Sequence, residues 1–353
     1  MESEKHQSSQ RLLILDGLRG IAAVLVVLHH EPRPYGDIGV FSRAYLAVDF
    51  FFLLSGFVLT LSFEPRMRAG LGTEAFLRMR IRRLWPLMFV GILIGAVATL
   101  RVASPATVAQ LFFLAVILFP LIKGTSALYP INGPIWSLFF ELVANLCHSL
   151  GLRRLRDNAL LLVAIFFGAL LIPMVFYFGM VGVGDVSENW WGGFIRIGFS
   201  YTLGCWMGRH YRGGEFRFPG LWWLTIVVFV AVLTLAPIVP LTRALGDILI
   251  VTIALPSLLW LAVSSRLPER LGPVMTALGK LSYPLYVIHI PVLNLGLWAA
   301  IMLGPQYYLA MRTVAIIAAF GLSWFLAHTS LARGMGDKLR KKRRDNGSYQ
   351  PAT

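Results

Sequence analysis

The stretch "LDGLRGIAAVLVVLHH", residues 15–30, decides how the rest of the chain is read. It has the apolar run of a membrane helix, yet it carries Asp16, Arg19, His29 and His30. An arginine at the centre of a bilayer helix costs about 2.5–3.5 kcal/mol on insertion scales. Such groups persist where they face a protein interior, a water-filled cavity or a substrate. Arg19 and His30 are separated by three helical turns plus about 20°, so they share one face roughly 16 Å apart. His29 points about 100° away from His30 and reads as an interfacial residue.

The whole chain follows this pattern. Of 353 residues, 57% are hydrophobic and 14% charged, against about 25% charged in a soluble domain. The net charge of +15 does not mark nucleic acid as a partner, because the cations sit in short clusters between apolar runs. That is the positive-inside pattern of a polytopic membrane protein. A span needs about 20 apolar residues, and candidates lie at 12–30, 44–63, 82–102, 134–151, 159–179, 192–209, 220–240, 244–264, 278–303 and 306–331. With both termini cytoplasmic, the inside segments hold 24 of the 32 Lys and Arg. Only Arg33, Arg43, Arg101, Lys123 and Arg243 fall outside, and Arg19, Arg196 and Arg312 lie within spans. Counting the short run 108–122 as a span would turn every later basic loop outward, so it is expected to be re-entrant or interfacial. The expected fold is an all-α polytopic membrane helix bundle of about ten transmembrane helices. No cleavable leader is evident at residues 1–11, so the first run is expected to be retained as a span. The tail over 336–353 reads as a basic cytoplasmic topology anchor that can touch anionic lipid.

Further ionisable residues interrupt the spans. Asp49 sits beside three phenylalanines in "VDFFFLLSGFVLT" and needs a partner. Glu141 lies about two turns into "INGPIWSLFFELVANL", after Trp136, a candidate interface anchor. Three spans thus bring His30, Asp49 and Glu141 to similar depth. A histidine with a carboxylate is a standard general-base pair; an inert interhelical salt bridge would place the same residues there. Of the cluster Arg78, Arg80, Arg82 and Arg83, two read as flanking charges, whereas Arg80 and Arg83 share a face that can grip phosphate. Ser282, Tyr286 and His289 form a polar stripe of the kind that ordinarily serves helix packing. Gly91/Gly95 and Gly204/Gly208 suggest close helix approach. No Cys/His spacing suggests a metal site, and Cys147 and Cys205 imply no disulfide framework. The glycines at 182–185 lack the strand–helix context of a dinucleotide site.

Taken together, these stretches resemble the integral-membrane acyltransferase 3 family. "LDGLRGIAAVLVVLHH" resembles its first-helix Arg-x10-His signature, with Arg19 and His30 in register. "VDFFFLLSGFVLT" resembles the second-helix element with Asp49. "RIRRLWP" resembles Arg-x2-Arg-Leu-x-Pro, "WSLFFE" resembles Trp-Ser-Leu-x-x-Glu, and "LSYPLYVIHIP" resembles the late Ser-Tyr-x-x-Tyr-x-x-His run. The order is the family's and covers nearly the whole chain. It departs from the family at Met88, Leu142, Ala144 and Asn145, positions that bear on subfamily and acceptor.

The resemblance implies one acyltransferase domain over 1–335, in the stand-alone form without a fused extracellular domain. It also implies a place in the bacterial cytoplasmic membrane. The implied reaction is transfer of an acyl group, acetyl by expectation, from acyl-CoA to a sugar hydroxyl of a surface or lipid-linked glycan. Acyl-CoA is then a donor substrate and no cofactor stays bound. The implied roles give His30 as base, with Asp49 or Glu141 orienting it. Arg80, Arg83 and Arg19 would bind CoA, while Trp136, Ser137, Tyr286 and His289 would bind substrate. The roughly 16 Å between Arg19 and His30 suits a pantetheine arm threading inward from the cytoplasm. A proton-coupled transporter or flippase would use the same buried charges as a relay. No inverted repeat is visible for it.

Overall fold

The structure is a computed structural model that describes residues 2–31, 40–124, 126–211, 218–234, 242–329 and 331, with side chains from residue 13 onward. The tail expected over 336–353, Arg33, and the connections at 212–217 and 235–241 lie outside the described residues. Every one of the ten apolar stretches contains a helix. The elements are α1 (Glu2–His29), α2 (Ala47–Arg68), α3 (Thr73–Thr99), α4 (Pro105–Val116), α5 (Ile135–Leu150) and α6 (Asp157–Phe178). They continue with α7 (Gly192–His210), α8 (Trp222–Thr234), α9 (Arg243–Leu249), α10 (Leu255–Ser264), α11 (Gly272–Leu303) and α12 (Tyr308–His328). There is no strand among the described residues, and a lone bridge pairs Ala127 with Val186. α9 and α10 run on through a wide turn at Ile250–Ala254, where Pro256 supplies no backbone donor.

Seven of these segments are long and apolar enough to cross a membrane: those containing α2, α3, α5, α6, α9 with α10, α11 and α12. The protein is therefore a multi-pass membrane bundle. α1 and the more polar α7 pack inside it, α1 along α11 and α7 along α2. α3 also lies against α11, and α6 covers α7. Large apolar side chains such as Leu162, Phe166, Phe176, Leu309, Ile317 and Phe325 remain exposed on α6 and α12. Hydrocarbon is the solvent that would cover them.

The 108–122 run forms α4, capped by Ser104, whose hydroxyl accepts from the Thr107 N–H, with Pro105 opening the helix. Its 12 residues span about 18 Å, too short for a core of about 30 Å. α4 descends alongside α3 until the Trp85 indole donates to the Val116 carbonyl at 3.4 Å. The chain turns at Leu118 in the left-handed region and returns, so that Ile131 packs at Gly95 of α3. The segment thus forms a short helix and a return, shorter than the helices long enough to cross a membrane.

Close approach fixes the α2/α7 pair. A Cβ at Gly56 would stand 2.0 Å from the Tyr201 carbonyl oxygen, and one at Gly204 2.1 Å from that of Leu53. Backbone cannot yield as a side chain can. Gly56→Val and Gly204→Val are therefore expected to lose most folded protein, since forced overpacking costs at least about 1–3 kcal/mol. Gly321→Ala, which meets nothing within 4 Å, is expected to leave it unchanged. Detergent-extracted yield and thermal midpoint check both.

Candidate active site

One face of α2 builds a slot through the bundle. Val48, Phe51, Ser55, Val58 and Ser62 recur at helical spacing, and all line a cavity of about 190 Å³. From Val48 to Ser62 the helix rises roughly 21 Å, so the cavity is long and narrow. The opposite walls are α3, α5 and α11, which supply Arg80, Arg83, Ser137, Glu141, Ser282, Tyr283 and Tyr286. α1 contributes Arg19.

The three cavity arginines differ in what holds them. Arg19 donates from Nε to the Ser282 hydroxyl at 2.9 Å and from Nη2 to the Gly279 carbonyl at 3.0 Å, with Asp16 beside it at 3.0 Å. Arg80 is buried and ion-paired to Glu141 at 2.6 Å, and the Ser55 hydroxyl donates to the same carboxylate oxygen at 2.9 Å. The Arg80 Nε has no partner. Arg83 lines the cavity and makes no hydrogen bond or ion pair among the described residues. The other two members of the cluster stay outside. Arg78 pairs with Glu74, and Arg82 does not line the cavity; Arg82 and Arg83 are both exposed.

At the far end, the Ser137 and Tyr286 hydroxyls meet at 2.6 Å, both residues buried. One turn beyond Tyr286 on α11, His289 faces His30, the residue that follows α1. His30 Nδ1 lies 2.9 Å from the Val26 carbonyl oxygen and 3.4 Å from His289 Nε2. His289 Nδ1 lies 2.8 Å from the Tyr286 carbonyl oxygen and 3.2 Å from that of Leu285. A carbonyl oxygen only accepts, so the Nδ1 of each ring carries the proton. His289 Nε2 then accepts from His30 Nδ1–H. The Nε2 of His30 then has a lone pair with no partner among the described residues.

Several sequence expectations change on this geometry. Neither Asp49 nor Glu141 meets His30; each is already neutralised by an arginine. Asp49 is fully buried and receives Arg196 Nη2 at 2.7 Å and Nε at 3.2 Å. Arg196 also donates to the Val183 carbonyl at 2.7 Å and stands over the Trp136 ring at 5.2 Å. Trp136 is therefore buried under a cation instead of anchoring at the headgroups, and it does not line the cavity. His30, Asp49 and His289 do not line it either. The Ser282–Tyr286–His289 stripe packs α11, but its members meet Arg19, Ser137 and His30 in turn, the first two within the cavity and His289 past its end. Ser55 was not singled out in the sequence; a hydroxyl in "LLSGF" carries little signal of its own.

Comparison with known proteins gives a consistent answer. A family model described as an acyltransferase domain, of the acyltransferase 3 type, matches residues 12–328. A relative from Rhizobium radiobacter, described as protein 2 in the picA locus, is 32% identical over 175 residues, covering 44% of this chain and 91% of its own length. No solved structure matches.

Removing one partner of a buried ion pair costs about 3–5 kcal/mol, because the other charge is stranded. Asp49→Ala is therefore expected to deplete folded protein, and Asp49→Ala/Arg196→Met to recover part of it. His30→Ala breaks no ion pair and is expected to keep the wild-type thermal midpoint. Melting curves in detergent at matched protein concentration measure all three.

Proposed function

This chain belongs to the acyltransferase 3 family, and from that premise we propose that it is a membrane O-acyltransferase of the bacterial cytoplasmic membrane. The donor is acyl-CoA, with acetyl as the acyl group. The acceptor is a hydroxyl on a surface or lipid-linked glycan. The observation that carries this proposal is the His30 Nε2, which has no partner among the described residues, past the end of a cavity whose other parts hold three arginines. A base at one end and anion-binding groups along the rest match a phosphate-bearing donor that presents its acyl group at its tip.

The donor enters from the cytoplasmic end. Arg83, which has no partner, and Arg19 receive its phosphates; Arg80 is held in the wall by Glu141 and shapes the slot. The cavity of about 190 Å³ is below the roughly 300–1,000 Å³ of drug-sized ligand sites. It suits an extended arm with a small acyl group. Phe51 packs on Tyr286 at that end of the cavity, with ring centroids 5.5 Å apart, which narrows the space for a long chain. The Ser137 hydroxyl donates to the Pro134 carbonyl at 3.0 Å, so Tyr286 O–H is the donor of the pair; it turns from Ser137 Oγ to the thioester carbonyl oxygen as that oxygen gains charge. One such donor is worth about 2.7–4 kcal/mol in acyl-transfer enzymes.

The acceptor approaches from the opposite face. His30 Nε2 takes the proton of the acceptor hydroxyl as that oxygen bonds to the thioester carbon. The carbon–sulfur bond then breaks, and His30 returns the proton to the departing thiolate. The products are the O-acyl glycan and CoA thiol, with no net proton gained or lost. His289 holds the His30 ring and accepts its Nδ1 proton in a hydrogen bond throughout.

Transfer of radiolabelled acetyl from acetyl-CoA, in membranes that contain glycan acceptors, tests this function. Wild type, His30→Ala and His289→Ala are compared at matched protein levels. General-base assistance is typically ~10²–10⁴-fold, and His30→Ala is expected to lose that much. His289→Ala is expected to lose about tenfold or more through misorientation of the base. Equal transfer by wild type and His30→Ala would remove His30 from the chemistry. Absence of transfer by folded wild-type protein from acetyl-CoA or longer acyl-CoA, with native acceptors present, would favour a transporter.

A further inference from the structure

Three arginines lie within helices that read as spans, and two are accounted for: Arg19 lines the cavity and Arg196 neutralises Asp49. Arg312 serves neither. It stands about one turn into α12, a helix with many side chains facing outward. An arginine there must find a partner or reach the interface. Its partner is Glu31. Arg312 Nη2 and Nε lie 2.5 Å and 3.1 Å from the same carboxylate oxygen, with the side chains only 15% and 19% exposed. The guanidinium also stands over the Tyr308 ring at 5.3 Å, one turn earlier on α12. Its orientation is thus set from two sides.

Glu31 directly follows His30. α1 ends at His29, and the His30 N–H still bonds the Val26 carbonyl at 3.1 Å. A helix end is where backbone hydrogen bonding runs out and fraying begins. The His30 ring itself is held by one carbonyl and by a 3.4 Å approach to His289. We propose that Arg312 is a positioning residue for His30: by gripping Glu31 it ties the last turn of α1 to α12 and fixes the direction of His30 Nε2. This inference rests on His30 acting as the base. An inert interfacial ion pair would stabilise the bundle and leave the chemical step alone, so the two roles differ in what they move.

The test uses full-length protein in membranes, with acetyl-CoA as donor and the glycan acceptor of the transfer assay. Arg312→Gln, Glu31→Gln, the charge swap Glu31→Arg/Arg312→Glu and His30→Ala are compared with wild type for kcat, donor KM and thermal midpoint. Misplacement of a reacting group by about 1 Å can cost about 100-fold. Arg312→Gln and Glu31→Gln are each expected to lower kcat per folded protein by about tenfold to a hundredfold, with donor KM unchanged and any fall in thermal midpoint too small to account for the loss. The charge swap is expected to recover much of kcat. The inference is overturned if the single variants keep wild-type kcat, or lose it only in proportion to folded protein, or if the swap is no more active than they are. His30→Ala separates the two levels. If it is fully active, the base assignment fails. If it is inactive while Arg312→Gln is fully active, the positioning role alone fails.

Discussion

A charge in hydrocarbon must be neutralised by something the bundle itself supplies. The Asp49–Arg196 pair is the strictest case. Both residues are buried, and the guanidinium spends its donors on Asp49 and the Val183 carbonyl while its face covers Trp136. That single interaction joins α2 to α7 and sets the loop before α7 against them. It also underlies the start of α5, where Trp136 is followed by Ser137. The cavity wall formed by α2 and α5 therefore depends on a charge pair that never touches the cavity.

The same constraint sorts the polar residues by availability. Arg80 and Glu141 cancel one another and, with Ser55, act as wall. Glu64 is claimed by Arg209, which also binds Asp157 and the carbonyls of Leu152 and Leu155. That cluster clips α2, α6 and α7 together at the end of the bundle away from His30. Once these pairs are counted, few ionisable groups inside the described bundle are left with capacity to spare. Arg83 lines the cavity, and one ring nitrogen of His30 has no partner among the described residues. In a medium that penalises every unpaired charge, such leftovers are where a substrate can supply the missing partner.

Much of this was legible in the sequence because ionisable residues in apolar runs stand out, and helical periodicity says which of them share a face. The helical segments, the shortness of α4 and the alignment of Arg19 with His30 followed from length and spacing alone. What spacing cannot give is which helices become neighbours. Asp49 finds Arg196, 147 residues away, and His30 finds His289, 259 residues away. Similar depth made Asp49 and Glu141 look like partners for His30, but depth is one coordinate and contact needs three. Trp136 was misjudged for the same reason: a tryptophan near a span end looks interfacial until a buried arginine packs on its ring. Glu31 carried a weak signal, an acid beside a histidine at a helix end, and its role depended on Arg312 arriving from α12.

The choice of a histidine instead of a carboxylate behind His30 has a physical rationale in this setting. A buried carboxylate would carry charge in the resting state and demand its own cation, as Asp49 and Glu141 both do. In the proposed reaction a neutral imidazole would orient the base through one hydrogen bond and add no resting charge to the low-dielectric interior. It also stabilises the imidazolium less strongly than an anion would. In the proposed reaction that is an advantage, because the proton taken from the acceptor must be handed on to the thiolate within the same turnover. A strong anionic partner would hold it on the ring. With a neutral orienter, precision of placement must come from outside the pair, and the ion pair one residue beyond His30 is positioned to provide it.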